Sequence, residues 1–182
     1  MRISSTAHRS DLASEQIHRG ALISGYGKTV AGNACMRCIF SIMPVYDLKL
    51  ASSFDECRKL RDYLAVMADR EGFSQAFFEE LELVVKEAFV NAVRHGNGAD
   101  NEDVPVMLHF DSFTDESGSI LLIEVADCGN GFAMYEIENP ALSSHDMKLS
   151  GRGVFLIGCF AEFMDQVCDE TGCRLTLRMR PY

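Results

Sequence analysis

Apolar and polar residues alternate from Tyr46 to Leu50, the period-2 signature of a short strand with one buried face. Ser52 and Ser53, ahead of Glu56, make a cap-like opening for a helix over residues 56–70. Leu60, Tyr63, Leu64 and Met67 recur there at helical spacing, and Gly72 ends it. Ser74 caps a second helix predicted to reach His95, closed by Gly96-Asn97-Gly98. Residues 104–110 and 120–126 read as strands joined by a polar turn over 111–118. An irregular stretch follows over 127–150, and residues 154–160 are apolar enough for a buried helix. Residues 163–169 and 174–180 then form a hairpin about Glu170-Thr171-Gly172. This order predicts an α+β fold, one sheet with helices packed on one face.

Residues 1–43 break the pattern. Arg2, Arg9, Arg19, Lys28 and Arg37 stand there against only Asp11 and Glu15, with scattered Gly and Ser and no sustained period. The segment reads as a flexible N-terminal extension, leaving 44–182 as the folded domain. Met43 suits an alternative start, just ahead of the first strand. With 182 residues, 47% of them hydrophobic and 24% charged, the chain suits one globular domain. No run of about 18 apolar residues predicts a membrane span, and no apolar export segment follows the early arginines. A net charge of -10 disfavours a nucleic-acid surface. Cys35 and Cys38 form a lone CxxC without the second pair that a structural zinc site needs. The odd total of seven cysteines favours reduced thiols and a cytoplasmic protein.

Three segments carry candidate chemistry. The second helix is apolar around nearly its whole circumference, yet Glu87, Asn91 and His95 fall at i, i+4 and i+8 along one stripe. That stripe is either a solvent-facing edge or a carboxylate and an amide aimed into a polar cleft, since buried polar groups need partners. Asp127-Cys128-Gly129-Asn130-Gly131-Phe132 follows an apolar strand. It fits an ordinary turn, or a loop whose glycines admit a ligand beside an Asp that accepts from an exocyclic amine. Ser150-Gly151-Arg152-Gly153 opens an apolar helix, where free N–H groups and an arginine suit phosphate. It matches neither the Walker pattern nor a dinucleotide fingerprint.

Taken together and in this order, the three segments carry a family resemblance. Glu87-Ala88-Phe89-Val90-Asn91-Ala92-Val93-Arg94-His95-Gly96 resembles the N box of the GHKL (histidine-kinase-like) ATPases. Asp127 to Phe132 is similar to their DxGxGF box, and Gly151-Arg152-Gly153 to their second glycine box. The subgroup it resembles is the anti-sigma-factor serine/threonine kinases, which share an HGN after the N box and a Met-Asp-x-Val strand, here Met164-Asp165-Gln166-Val167. The resemblance runs from about residue 45 to the C-terminus. It implies a Bergerat-type two-layer α/β sandwich with a mixed, mostly antiparallel sheet.

The resemblance also implies roles. Asn91 binds Mg²⁺ and Asp127 reads the adenine amine, while Gly129 and Gly131 let base and ribose lie close. Gly151, Arg152 and Gly153 hold the phosphates, and residues 133–150 form the lid over ATP. Glu87 accepts the proton of an attacking hydroxyl. One position departs from the pattern: Gly172-Cys173 stands where the family commonly has Gly-Thr, whose Thr supports the adenine contact. A thiol is the weaker hydrogen-bond partner. The function implied is a protein serine/threonine kinase acting as an anti-sigma factor, phosphorylating a STAS-domain anti-anti-sigma partner and sequestering a sigma factor. A homodimer is also implied, with no direct nucleic-acid or membrane contact. Two other readings remain: an ATP-gated partner-binding module without phosphotransfer, and a piece of a sensor histidine kinase. The last needs a phosphoacceptor histidine on a dimerisation helix, and His8 and His18 lie in a segment without heptad period.

Overall fold

The computed structural model describes residues 45–98, 101, 103–129 and 152–182. The expected extension over 1–43, the expected lid over 133–150, Gly131 and Gly151 lie outside the described residues. Among the described residues five strands form one sheet: β1 (Val45–Ala51), β2 (Pro105–Asp115), β3 (Gly118–Asp127), β4 (Glu162–Asp169) and β5 (Gly172–Met179). Their order is β1-β2-β3-β5-β4, and every pairing is antiparallel.

Alternation decides which side of the sheet is covered. Tyr46, Leu48 and Leu50 of β1 are buried with Val106, Leu108 and Phe110 of β2, while Asp47, Lys49 and Met107 between them are exposed. Leu175, Leu177 and Met179 continue the apolar face on β5. Helix α1 (Cys57–Glu71) and helix α2 (Gln75–Asn91) close over it. Leu60, Leu64 and Met67 of α1 and Phe77, Leu81, Val84 and Phe89 of α2 are all at most 1% exposed. Each such side chain contributes about 1.5–3 kcal/mol on leaving water. Tyr63 Oη donates to the Asp47 carbonyl at 3.0 Å, which ties α1 to the first strand.

The predicted helix stops are realised as capping contacts. Gly72 adopts a left-handed φ of 69° and its N–H reaches the carbonyls of Ala68 and Asp69. Ser74 Oγ accepts from the Phe77 N–H at 3.1 Å, satisfying an otherwise unpaired donor at the start of α2. Three local expectations are corrected. Ser52 and Ser53 make no side-chain cap; a short 3₁₀ turn, Phe54–Glu56, leads into α1, and Ser52 is fully buried in another role. Residues 111–115 are strand rather than turn, because the β2–β3 ladder runs to Asp115 opposite Gly118 and satisfies the backbone whatever the side chains. Helix α3 (Arg152–Phe160) is only half buried: Ile157 is 1% exposed but Phe155 and Phe160 are 45% and 40% exposed. A short all-apolar run carries no periodicity to show which of its sides is covered.

Candidate nucleotide site

The site forms where α2 ends. Past Asn91 the helix widens into a π turn, Ala92–Asn97, before Gly98 leaves it with φ 83°. The widening breaks the Glu87–Asn91–His95 stripe: Glu87 is half-buried, Asn91 is 5% exposed, and His95 is exposed. Asn91 is the more telling of the first two. Its Nδ2 is buried with no hydrogen-bond partner among the described residues. A buried polar atom left unpaired costs about 1–3 kcal/mol, so an amide held in this way is suited to a ligand. The two ends of an amide exchange by a side-chain flip, so this group can present oxygen to a cation.

Gly153, in the first turn of α3, lies against this pair. A Cβ added there would stand 2.6 Å from Glu87 Oε2 and 3.6 Å from Asn91 Nδ2. The start of α3, the carboxylate and the amide therefore meet at one place. Arg152 begins the same helix.

Asp127 ends β3 a helical turn further along. It is 9% exposed, and its Oδ1 accepts from the Gly129 N–H at 2.9 Å. Burial pushes its carboxyl above the usual range, and the Gly129 N–H pulls it partly back. The loop passes so close to the π turn that neither chain tolerates a side chain. A Cβ on Gly129 would fall 1.8 Å from the Gly96 carbonyl oxygen, and one on Gly96 would fall 2.2 Å from Asp127 Cγ.

Asn97 holds this junction, and sequence reasoning passed it over as part of a helix stop. Its Oδ1 accepts from the Cys128 N–H at 2.6 Å. Its Nδ2 donates to Ser52 Oγ at 2.7 Å and to the Pro105 carbonyl at 3.1 Å. Ser52 Oγ in turn donates to the Val104 carbonyl at 2.5 Å. One amide thus joins the end of β1, the start of β2 and the loop after β3. The available signal was an Asn between two glycines, where an exposed turn is the commoner reading.

Beside Asp127 a cleft of about 290 Å³ opens between the ends of β2 and β3 and the β4–β5 hairpin. Its walls hold Asp127, Cys128, Gly172 and Cys173, but neither Glu87 nor Asn91, which meet at Gly153. Cys173 pairs directly with Asp127 across β3 and β5, and it is disulfide-bonded to Cys168. The expectation of reduced thiols is thereby corrected for these two, since a five-residue spacing shows no contact until strand register sets the residues opposite each other. Cys57, Cys128 and Cys159 are free thiols, while Cys35 and Cys38 lie outside the described residues. Among the described residues no group of three or more His, Cys, Asp or Glu could hold a metal. Were a cation held at Asn91, water and phosphate would have to supply most of its oxygen ligands, the arrangement Mg²⁺ favours.

The family model of the histidine kinase-like ATPase domain matches residues 50–180. The chain belongs to that family. Its relatives include a serine-protein kinase RsbW from Bacillus licheniformis, 29% identical over 129 residues, covering 68% of this chain and 76% of the relative. The same-named protein of Oceanobacillus iheyensis is 32% identical over 100 residues, covering 52% of this chain and 60% of the relative. A solved structure of RsbU and RsbW domains from Mycobacterium tuberculosis aligns with a TM-score of 0.47 at 21% identity, over 76% of this chain and 32% of that one. The α+β sandwich expected of a GHKL domain is the fold observed. No helix among the described residues is long and apolar enough to cross a membrane.

Proposed function

We propose that this chain is an ATP-dependent protein serine/threonine kinase of the cytoplasm that acts as an anti-sigma factor. It phosphorylates a STAS-type anti-anti-sigma partner and sequesters a sigma factor when that partner is modified, and it works as a homodimer. The observation that carries this reading is the ordering of groups along one helix. Glu87, Asn91 and the Gly96 contact to Asp127 follow one another over ten residues of α2 and its π turn, an axial span of at most roughly 13 Å. That is comparable to an extended nucleoside triphosphate.

Asp127, 9% exposed, accepts from the adenine amine, and its low exposure strengthens that hydrogen bond. Asn91 supplies an oxygen to Mg²⁺, which neutralises phosphate charge when bound. Gly151, Arg152 and Gly153 are the residues assigned to the phosphates, Gly153 lying in the first turn of α3, where backbone N–H groups suit an anion. Glu87, beside Gly153, takes the proton from the partner's serine hydroxyl as its oxygen attacks. Catalysis of this kind rests on positioning and charge placement. Labelled ATP incubated with the cognate STAS protein tests the reading. Phosphoserine on the partner, lost in Glu87→Gln while ATP still binds, supports it; undiminished transfer in that variant overturns the role of Glu87.

One observation favours a second reading. Cys173 occupies the position where the family's Thr supports adenine, and a sulfur there weakens the contact. An ATP-gated clamp without transfer would capture its partner in the presence of nucleotide and leave no phosphoprotein.

A further inference from the structure

Cys168 and Cys173 are register partners across β4 and β5, their Cα atoms 4.1 Å apart, joined by a disulfide. On the other flank of β5, Cys173 is the register partner of Asp127. Directly opposed residues of antiparallel strands project to the same side of the sheet. The order β3-β5-β4 thus places Cys173 between the buried Asp127 and the exposed Cys168, in one cross-strand row. A single sulfur cannot serve both neighbours.

The bond does little to hold the hairpin. It spans a sequence separation of 5, and short loops restrict the unfolded chain least. The turn is held independently by Asp169 Oδ1, which accepts from the Thr171 N–H at 2.7 Å and from Thr171 Oγ1 at 2.6 Å. Its consequence is therefore chemical. Bonded, the Cys173 sulfur is drawn toward β4 and has no hydrogen to donate. Released, the thiol can rotate toward β3 and donate weakly beside Asp127.

We propose that Cys168–Cys173 is a dithiol–disulfide switch that lowers ATP affinity when oxidised and restores it when reduced. This rests on the reading of Asp127 as the adenine contact. Access is one-sided: Cys168 is exposed while Cys173 is 4% exposed, so a dithiol reductant attacks at Cys168. Its thiolate forms a mixed disulfide with Cys168 Sγ as the Cys168–Cys173 bond breaks, and Cys173 leaves as thiolate and takes up a proton. The second thiol of the reductant then closes its own disulfide and releases Cys168, which is protonated in turn. Two electrons and two protons pass to the chain.

The test is calorimetric titration of ATP with Mg²⁺ into the full-length chain, oxidised and then reduced with dithiothreitol, with free thiols counted in each state. Reduction is expected to tighten binding about three- to tenfold, the worth of one modest hydrogen bond. Cys168→Ser should bind like the reduced protein under both conditions, and Cys173→Thr should bind at least as tightly whatever the redox state. Equal affinity of the two wild-type states overturns the switch alone. A redox response that persists in Cys168→Ser assigns it to other cysteines and also overturns it. Absence of ATP binding in both states overturns the function reading together with the switch.

Discussion

Asp127 carries its charge where burial opposes it, and two opposed predictions follow from that placement. Its carboxyl lies above the ordinary value of 3.8, chiefly because the side chain is removed from water. Between the unfolded and folded values the folded chain holds the extra proton, so stability falls as pH rises through that window. Above the window the ionised carboxylate costs stability that an amide would not. Asp127→Asn keeps an oxygen to accept from the Gly129 N–H, and it is expected to raise the melting temperature at neutral pH. The same change turns a charged acceptor for the adenine amine into a neutral group with its own donors, and it is expected to weaken ATP binding about tenfold or more. Thermal melts and ATP titrations on one preparation check both; a variant that loses stability as well as affinity would show that the carboxylate is needed for the fold. In the wild type, ATP affinity should fall on acidification, beginning at a pH above that of an ordinary aspartate. Glu87 is only half-buried, and its replacement should act on transfer with little effect on stability.

Among the elements, the π turn after α2 does the most to shape the site, and Asn97 is its fastening. Removing the Asn97 amide leaves the Cys128 N–H and the Pro105 carbonyl without the partners they have now. Asn97→Ala is therefore expected to destabilise the domain by about 1–3 kcal/mol and to loosen ATP binding by freeing the loop that carries Asp127. Denaturant unfolding with and without nucleotide separates the two effects, and an unchanged midpoint would sink the fastening role. Gly153→Ala works differently. Its Cβ would press closest on the end of a flexible side chain, Glu87 Oε2 at 2.6 Å, with Asn91 Nδ2 at an ordinary contact distance of 3.6 Å, so the carboxylate should swing aside. Phosphotransfer should fall more than ATP affinity does, because Ala keeps the backbone N–H assigned to the phosphates while its Cβ displaces the Glu87 carboxylate. Helical spacing set Glu87 and Asn91 on one stripe but left open whether it faces solvent or a cleft, and Asp127 at a strand end fits an ordinary turn equally well. The roles proposed for the three come from the family resemblance. The sheet and the core of α1 and α2 were legible from the two hydrophobic periods. Asn97 and Ser52 were not, because their partners are backbone atoms distant in sequence, and a polar residue beside glycine or before a helix has a commoner local explanation. The Cys168–Cys173 bond likewise became visible only with strand register. The half-exposed side of α3 escaped because an unbroken apolar run has no direction.

At the scale of the whole molecule, the site joins pieces that the sheet alone does not bind together. The end of β1, the start of β2, the end of β3, the C-terminal end of α2 and the first turn of α3 converge on it, and the α2–α3 contact runs past Gly153. A ligand that bridges these pieces binds the folded chain and has nothing comparable to hold in the unfolded one. Nucleotide should therefore raise global stability by mass action, about 2.7 kcal/mol at a concentration one hundred times the dissociation constant. For a domain of this size that corresponds to a melting shift of several degrees. The metal dependence of the shift tests the reading of Asn91. Its buried Nδ2, without a hydrogen-bond partner among the described residues, burdens the free protein, so Asn91→Ala should leave the melting temperature without nucleotide nearly unchanged or slightly higher. What the variant should lose is the additional shift that Mg²⁺ gives over ATP with a chelator. Thermal melts of wild type and variant with ATP and Mg²⁺, and with ATP and a chelator, make the comparison. An Mg²⁺-dependent shift that survives intact in Asn91→Ala would remove this residue from the metal site and leave the phosphates to hold the cation through other groups.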